Sequence, residues 1–402
     1  MNLQSPIANA RNIIRDIGEL NRKLIKGAEV LTEVDQVDVG TAPMDLVYQE
    51  DKVKLYHYRQ EGEVTCRIPV LIVYALVNRQ YILDLQPDRS VVRNLLQHGL
   101  DLYIIDWDYP TKADMYLTLD DYINGYLNGC VDFVRKSTRN DKINLMGICQ
   151  GGTFCAMYAA MYPEKVKNLT TLVAPFDFSP NDGLLFAWAK HMNSEVLMKT
   201  YRVIPGDFLN IGFLMLMPFT LNIRKYIDMV DFIEDKDKLL NFLRMEKWIF
   251  DSPGQAGQCL KEFIRDFYQG NKLVKGEVKI GGKAVDLKKI TMPLLNIYAS
   301  SDHLVPPSTT KPLNDLVGST DKSLYEFQGG HIGVFVGSKS QKVLAPFIAN
   351  WFHERQNSEP VKTAGVSEKL REDPEMRGRR ENPPPQREPK SKPRGTGRQD
   401  KR

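Results

Sequence analysis

Polar and apolar positions alternate from Val53 to Tyr58 (VKLYHY), as they do in a strand with one buried face. Val70 to Leu76 (VLIVYAL) is instead a continuous apolar run after Pro69, which predicts a strand covered on both faces. Arg89 to His98 has helical spacing and stops at Gly99, a residue that tolerates the left-handed cap conformation. The next strand is predicted at Leu102 to Trp107 (LYIIDW). Thr118 and Asp121 then stand at capping-box spacing, opening a long helix through Tyr122, Tyr126, Cys130 and Phe133. Further strands are predicted at Ile143 to Met146, Leu169 to Ala174, Leu294 to Ala299 and Leu324 to Phe327. Helices are predicted after Gly152 and, with an amphipathic pattern, from Ser340 to Phe352. This succession predicts an α/β fold, a mostly parallel sheet with helices on both faces.

The alternation lapses between about Phe178 and Val285, where the chain is helical and apolar (FLNIGFLMLMPF, NFLRMEKWIFDSPGQAGQCLKEFIRDFYQ). Val278 to Val285 reads as a hairpin around Gly281-Gly282, since paired glycines suit the positive φ angles of a tight turn. A helical insertion between two sheet segments is expected to form a cap over the strand ends, where open α/β sheets bind ligands. Near the N-terminus, Ile7, Ala10, Ile14, Ile17, Leu20 and Leu24 fall close to helical spacing. That stripe suits either packing on the chain's own body or docking of a partner.

Composition sharpens the picture at the ends. The net charge of +4 is unevenly spread: residues 357–402 carry 13 Lys/Arg against 8 Asp/Glu, and the rest 41 against 42. The body is therefore nearly neutral, which gives no support to nucleic-acid binding. The tail has seven prolines and no aromatic residue, too little apolar surface to offset ordering entropy, and is expected to be disordered. It reads either as a solvated appendage or as a basic segment for an acidic surface or partner. Ile211 to Phe219 is the longest apolar candidate, but Gly212 and Pro218 interrupt it, so no transmembrane segment is expected. Five cysteines without paired CxxC spacing argue against a disulfide framework or zinc ribbon and fit a reducing cytoplasm. No Walker loop, dinucleotide fingerprint or metal-ligand spacing occurs, so no cofactor and no metal are expected.

The sharpest chemical signal is Gly147-Ile148-Cys149-Gln150-Gly151-Gly152, between the apolar strand INLM and the helix-forming run TFCAMYAAMY. This is the context of a nucleophile elbow, with Cys where a hydrolase normally has Ser. Small residues are required because the nucleophile sits on a strained turn crossed closely by backbone. The following helix would aim its first N–H groups at Cys149, a setting that favours thiolate over thiol. In the α/β-hydrolase order, the acid and then the histidine follow the nucleophile. Asp302 lies just after strand LLNIYA, and His331 sits on a Gly-flanked loop after strand LYEF. His57 and His98 precede the nucleophile, His191 lies in the insertion, His353 is on the final helix, and His303 suits a structural role beside Asp302. The backbone N–H groups of Val77 and Gln150 are the candidate oxyanion donors. The resulting organisation is an N-terminal helical segment (1–40), an α/β-hydrolase core (41–177 and 286–356), a cap or lid (178–285) and the tail (357–402). A Cys nucleophile exchanges thioester for thioester and so retains driving force for later ester formation. This favours acyl transfer from a thioester over ester hydrolysis.

The segments LIVYALVNR, DLYIIDWDYP, LTLDDYINGYLNGCVDF, NLMGICQGG, NFLRMEKWIFDSPGQAG, LLNIYASSDHLVPP and GGHIGVFV closely resemble the catalytic C subunit of class III polyhydroxyalkanoate synthases. The resemblance covers about residues 40–355 and stops short of the basic tail. It implies an acyltransferase that polymerises (R)-3-hydroxyacyl-CoA, mainly 3-hydroxybutyryl-CoA, and releases CoA. Cys149 would then hold the growing chain and His331 would deprotonate it. Asp302 would help to activate the 3-hydroxyl, directly or through His331. The same resemblance implies a non-catalytic second (E) subunit, a homodimer or hetero-oligomer, and a place on cytoplasmic polyester granules. The alternative from the residues alone is a Cys-dependent thioesterase, because water can replace the alcohol at the same acyl-enzyme.

Overall fold

The computed structural model describes residues 36–60, 62–180 and 182–356, with positions 15, 19, 22–26 and 29–31 of the segment before them. The tail 357–402 and most of segment 1–40 lie outside the described residues. Eight strands form the central sheet: β1 (Met44–Glu50), β2 (Val53–Tyr58), β3 (Cys66–Val73), β4 (Leu100–Asp106), β5 (Ile143–Ile148), β6 (Val166–Leu172), β7 (Leu294–Ala299) and β8 (Lys322–Phe327). Their order is β1-β2-β4-β3-β5-β6-β7-β8. The β1–β2 and β2–β4 pairs are antiparallel and every other pair is parallel.

Burial follows the two-residue period of the strands. In β3, Leu71 and Val73 join the core on one face and Val70 and Ile72 the core on the other, all at 0% exposure. The first face is covered by helices Asn128–Thr138 and Gln150–Met161 and the second by Val91–Gln97 and Ala345–Glu354. Thr118 and Asp121 do form the reciprocal cap: the Thr118 N–H donates to the Asp121 carboxylate at 2.7 Å, and the Asp121 N–H to Thr118 Oγ1 at 3.2 Å. The helix they open winds as a wider π-helix over Asp121–Leu127 before it becomes α-helical. The strand β1 has no counterpart in the sequence reading. It is an edge strand without a fully buried residue, so its side chains carry no clear alternation.

Between β6 and β7 the chain leaves the sheet in helices from Leu184–His191 to Lys272–Lys275. Phe178, Phe186 and Phe267, all fully buried, cluster with Phe263 and Tyr268 beneath these helices. The hairpin pairs Lys279–Ile280 with Lys283–Ala284, and Gly281 and Gly282 take φ of 54° and 79°. The helical stretch exposes many large apolar side chains, among them Ile211 (62%), Phe219 (60%) and Ile227 (60%). Lys23 and Lys26 of the N-terminal segment reach Asp231 and Glu234 at 3.6 and 3.9 Å.

Candidate active site

β5 ends at Ile148, and Cys149 turns the chain directly into helix Gln150–Met161 with φ 53° and ψ −127°. A non-glycine residue there is strained by about 1–3 kcal/mol, so the surroundings must hold it. They do so with backbone hydrogen bonds: the Cys149 N–H donates to Leu172 O at 2.9 Å, and the Gly152 N–H to Cys149 O at 2.9 Å. A Cβ on Gly147 would lie 2.5 Å from Gly152 Cα, and one on Gly151 only 2.2 Å from Val73 O. Of the five cysteines, Cys149 alone is not buried. Burial pushes the Cys66 thiol up to about 11 and those of Cys130, Cys155 and Cys259 higher still.

Asp302 and His331 come from two loops at the carboxyl ends of β7 and β8. These loops are tied to each other by the Ser301 N–H, which donates to Gly329 O at 2.9 Å. The Asp302 carboxylate divides its bonding. Oδ1 accepts the N–H groups of Leu304 and Val305 at 2.9 and 2.8 Å, and Oδ2 lies 2.7 Å from His331 Nδ1. Both residues are 5% exposed. Cys149 lies near enough to His331 to act on its imidazole electrostatically. The three residues singled out in the sequence thus come to one place, the carboxylate bonded to the imidazole and the sulfur in its neighbourhood. Burial alone would lower the imidazole's proton affinity, but Asp302 and Cys149 outweigh it and raise His331 to about 10. His303 points the other way, its affinity lowered mainly by burial, and it faces Asp302 and His331 without a hydrogen bond between them.

The chain after β3 passes close to this turn. The Leu76 N–H donates to Gln150 Oε1 at 3.2 Å, and Trp107 Nε1 to Tyr74 O at 2.9 Å. Val77, the residue expected to offer a second oxyanion donor, follows Leu76 in this loop. Sequence reasoning did not reach the part played by the Gln150 side chain, because nothing local marks a helix residue as the acceptor for a distant loop. Asp106 and Asp108 bond the loop backbone: the Asp108 N–H donates to Asp106 Oδ1 and the Tyr109 N–H to Asp108 Oδ1, each at 2.9 Å. They also form ion pairs with Arg79 and Lys54, both at 2.8 Å. Among the described residues no group of His, Cys, Asp and Glu could hold a metal ion, and no helix is long and apolar enough to cross a membrane.

A strand–Cys–helix elbow in the middle of this strand order, with an acid after β7 and a histidine after β8, defines an α/β-hydrolase-fold protein. A family model described as "alpha/beta hydrolase fold" accordingly matches residues 68–338. A structure of a lipase candidate from Sulfolobus solfataricus superposes with a TM-score of 0.52 at 15% identity, covering 77% of this chain and 93% of its own. A second family model, "Poly-beta-hydroxybutyrate polymerase (PhaC) N-terminus", matches residues 4–95. The poly(3-hydroxyalkanoate) polymerase subunit PhaC of Allochromatium vinosum is 50% identical over 345 residues, 85% of this chain and 97% of its own. That of Synechocystis sp. is 50% identical over 347 residues, 84% and 92% of the two chains. The chain belongs to the poly(3-hydroxyalkanoate) polymerase family.

Proposed function

We propose that this polyhydroxyalkanoate synthase, an acyltransferase by its family, builds polyester through a thioester on Cys149. The observation that carries the mechanism is the Asp302–His331 pair in the neighbourhood of Cys149 at a strained elbow. Cys149 Sγ, its proton already held by His331, attacks the thioester carbonyl of a 3-hydroxyacyl-CoA. The C–S bond to CoA breaks, and CoA leaves as the thiol, taking that proton. The 3-hydroxyl of a second acyl group then attacks the Cys149 thioester while His331 accepts the hydroxyl proton. An ester forms, and the proton returns to the released sulfur. Asp302, bonded to Nδ1, keeps the imidazole in the orientation that presents Nε2 to the sulfur and stabilises its charged form. The N–H groups of Gln150 and Val77 take the charge that develops on the carbonyl oxygen.

The preferred substrate in this reading is 3-hydroxybutyryl-CoA, and the helical stretch 178–285 acts as a cap over the carboxyl ends of the strands. The exposed large apolar side chains of this stretch, among them Ile211, Phe219 and Ile227, fit a second subunit or the polyester itself. We therefore also propose a class III enzyme that works with a non-catalytic E subunit on cytoplasmic polyester granules. With the second subunit supplied, 3-hydroxybutyryl-CoA should yield free CoA and insoluble polymer. Stoichiometric soluble 3-hydroxybutyrate would show a thioesterase instead. Cys149→Ala should abolish CoA release and covalent acylation, and a fully active variant would remove the elbow from the mechanism.

A further inference from the structure

Between the end of β3 at Val73 and the short 3-10 turn Gln80–Leu83 the chain runs outside any sheet ladder. Its course is held from two sides. From the elbow side, Gly151 packs against Tyr74, where an added Cβ would lie 2.7 Å from Tyr74 O, and Gln150 Oε1 accepts the Leu76 N–H. From the other side comes the end of the inserted helix Lys236–Phe250. The last carbonyls of a helix lack intrahelical donors. Here Asn78, in the left-handed region at φ 56°, donates its Nδ2 to Ile249 O at 3.2 Å and to Trp248 O at 3.4 Å. Trp248 answers by donating Nε1 to Arg79 O at 2.7 Å, the residue as a whole being 6% exposed among the core residues of the sheet. One residue past the helix, the Asp251 carboxylate accepts the phenol hydroxyl of Tyr81 at 3.0 Å and, on its other oxygen, that of Tyr109.

Val77 is therefore the single residue between Leu76, held by the elbow, and Asn78, held by the insertion. We propose that the end of the inserted helix, Trp248 to Asp251, positions the oxyanion loop, with Asn78 and Asp251 as the positioning residues that aim the Val77 N–H. The consequence is that the second oxyanion donor is assembled only when the cap helix is seated on the sheet. This inference rests on the acyl-enzyme reading above. It assigns Asn78 and Asp251 no contact with substrate.

Two substitutions, one from each side of the seam, test it. Asn78→Gly keeps the positive φ accessible and removes only the side-chain bonds, and Asp251→Asn leaves one acceptor for two phenols. Two rates are read in full-length protein with the second subunit present. The first is CoA release in the first turnover of 3-hydroxybutyryl-CoA, which needs carbonyl polarisation. The second is alkylation of Cys149 by iodoacetamide, a displacement at sp³ carbon that forms no oxyanion. Loss of a whole oxyanion donor costs about 10²–10³ in rate. Misaiming it should slow first-turnover CoA release by about tenfold or more in both variants, with alkylation within about twofold of wild type and the four buried cysteines still unlabelled. Unchanged CoA release in both variants overturns the proposal. So does a parallel fall in both rates, because it would place the defect at the sulfur. A wild-type enzyme that is alkylated at Cys149 but forms no acyl-enzyme would instead overturn the reading on which the inference stands.

Discussion

Gly151→Ala is the smallest change that tests how the elbow is built. The new Cβ would lie 2.2 Å from Val73 O and 2.7 Å from Tyr74 O, both backbone atoms that no rotamer change can clear. Ordinary contact begins at 3.4 Å, so β3 and the elbow helix must part by about 1 Å. Overpacking on this scale costs about 2–3 kcal/mol, which for a chain this large lowers the Tm by about 3–4 °C. The catalytic cost is expected to be larger than the thermal one. The same displacement moves Cys149 and the Gln150 N–H relative to His331 and the β3 loop, and misplacement by about 1 Å costs about 10² in rate. Gly125→Ala serves as the control. Gly125 is an exposed helix glycine with nothing within 4 Å of the added Cβ, and the change should be neutral or stabilise by up to about 1 kcal/mol. The assay is a thermal melt with CoA release measured on the same samples. A Gly151→Ala enzyme with wild-type Tm and turnover would refute the claim that close backbone crossing, rather than habit of sequence, keeps glycine there.

Two further outcomes follow from the same geometry. The proton affinity of His331 in the folded state is raised from 6.5 to about 10, so its contribution to stability is complete below about pH 6.5 and is lost as the pH rises through about 10. The Tm should accordingly fall between those limits, and His331→Gln should flatten that part of the profile; an unchanged slope would show that the Asp302–His331 pair does not couple to folding. Phe178→Ala removes a fully buried ring that contacts Phe186, Phe263, Phe267 and Tyr268, and should destabilise by about 3–5 kcal/mol in a denaturant melt, with a loss below 1 kcal/mol contradicting the packing.

The elements that could be read without coordinates are those whose cause is local. VLIVYAL announces a buried strand because every residue in that unbroken apolar run favours leaving water. GICQGG announces an elbow because the turn between strand and helix excludes side chains on either side of the nucleophile. The edge strand Met44–Glu50 stayed hidden since water reaches most of it. Buried polar residues such as Asn144, Asn168 and Asn296 do not betray their place either. They bond one another, neighbouring polar side chains and the backbone, as in the 2.8 Å bond from Asn168 Nδ2 to Asn144 Oδ1, and composition alone would put them outside.

The linear order of Cys149, Asp302 and His331 was enough to nominate them, because a parallel sheet sends its loops to one edge. It could not supply the 2.7 Å contact between groups 29 residues apart. Least visible of all was the seam of Asn78, Trp248 and Asp251. Hydrogen bonds there join residues some 170 positions apart, and only folding brings such partners within reach. Chain-local patterns record what each segment must bury, whereas the choice of partner for each exposed carbonyl or carboxylate depends on packing that no single segment contains.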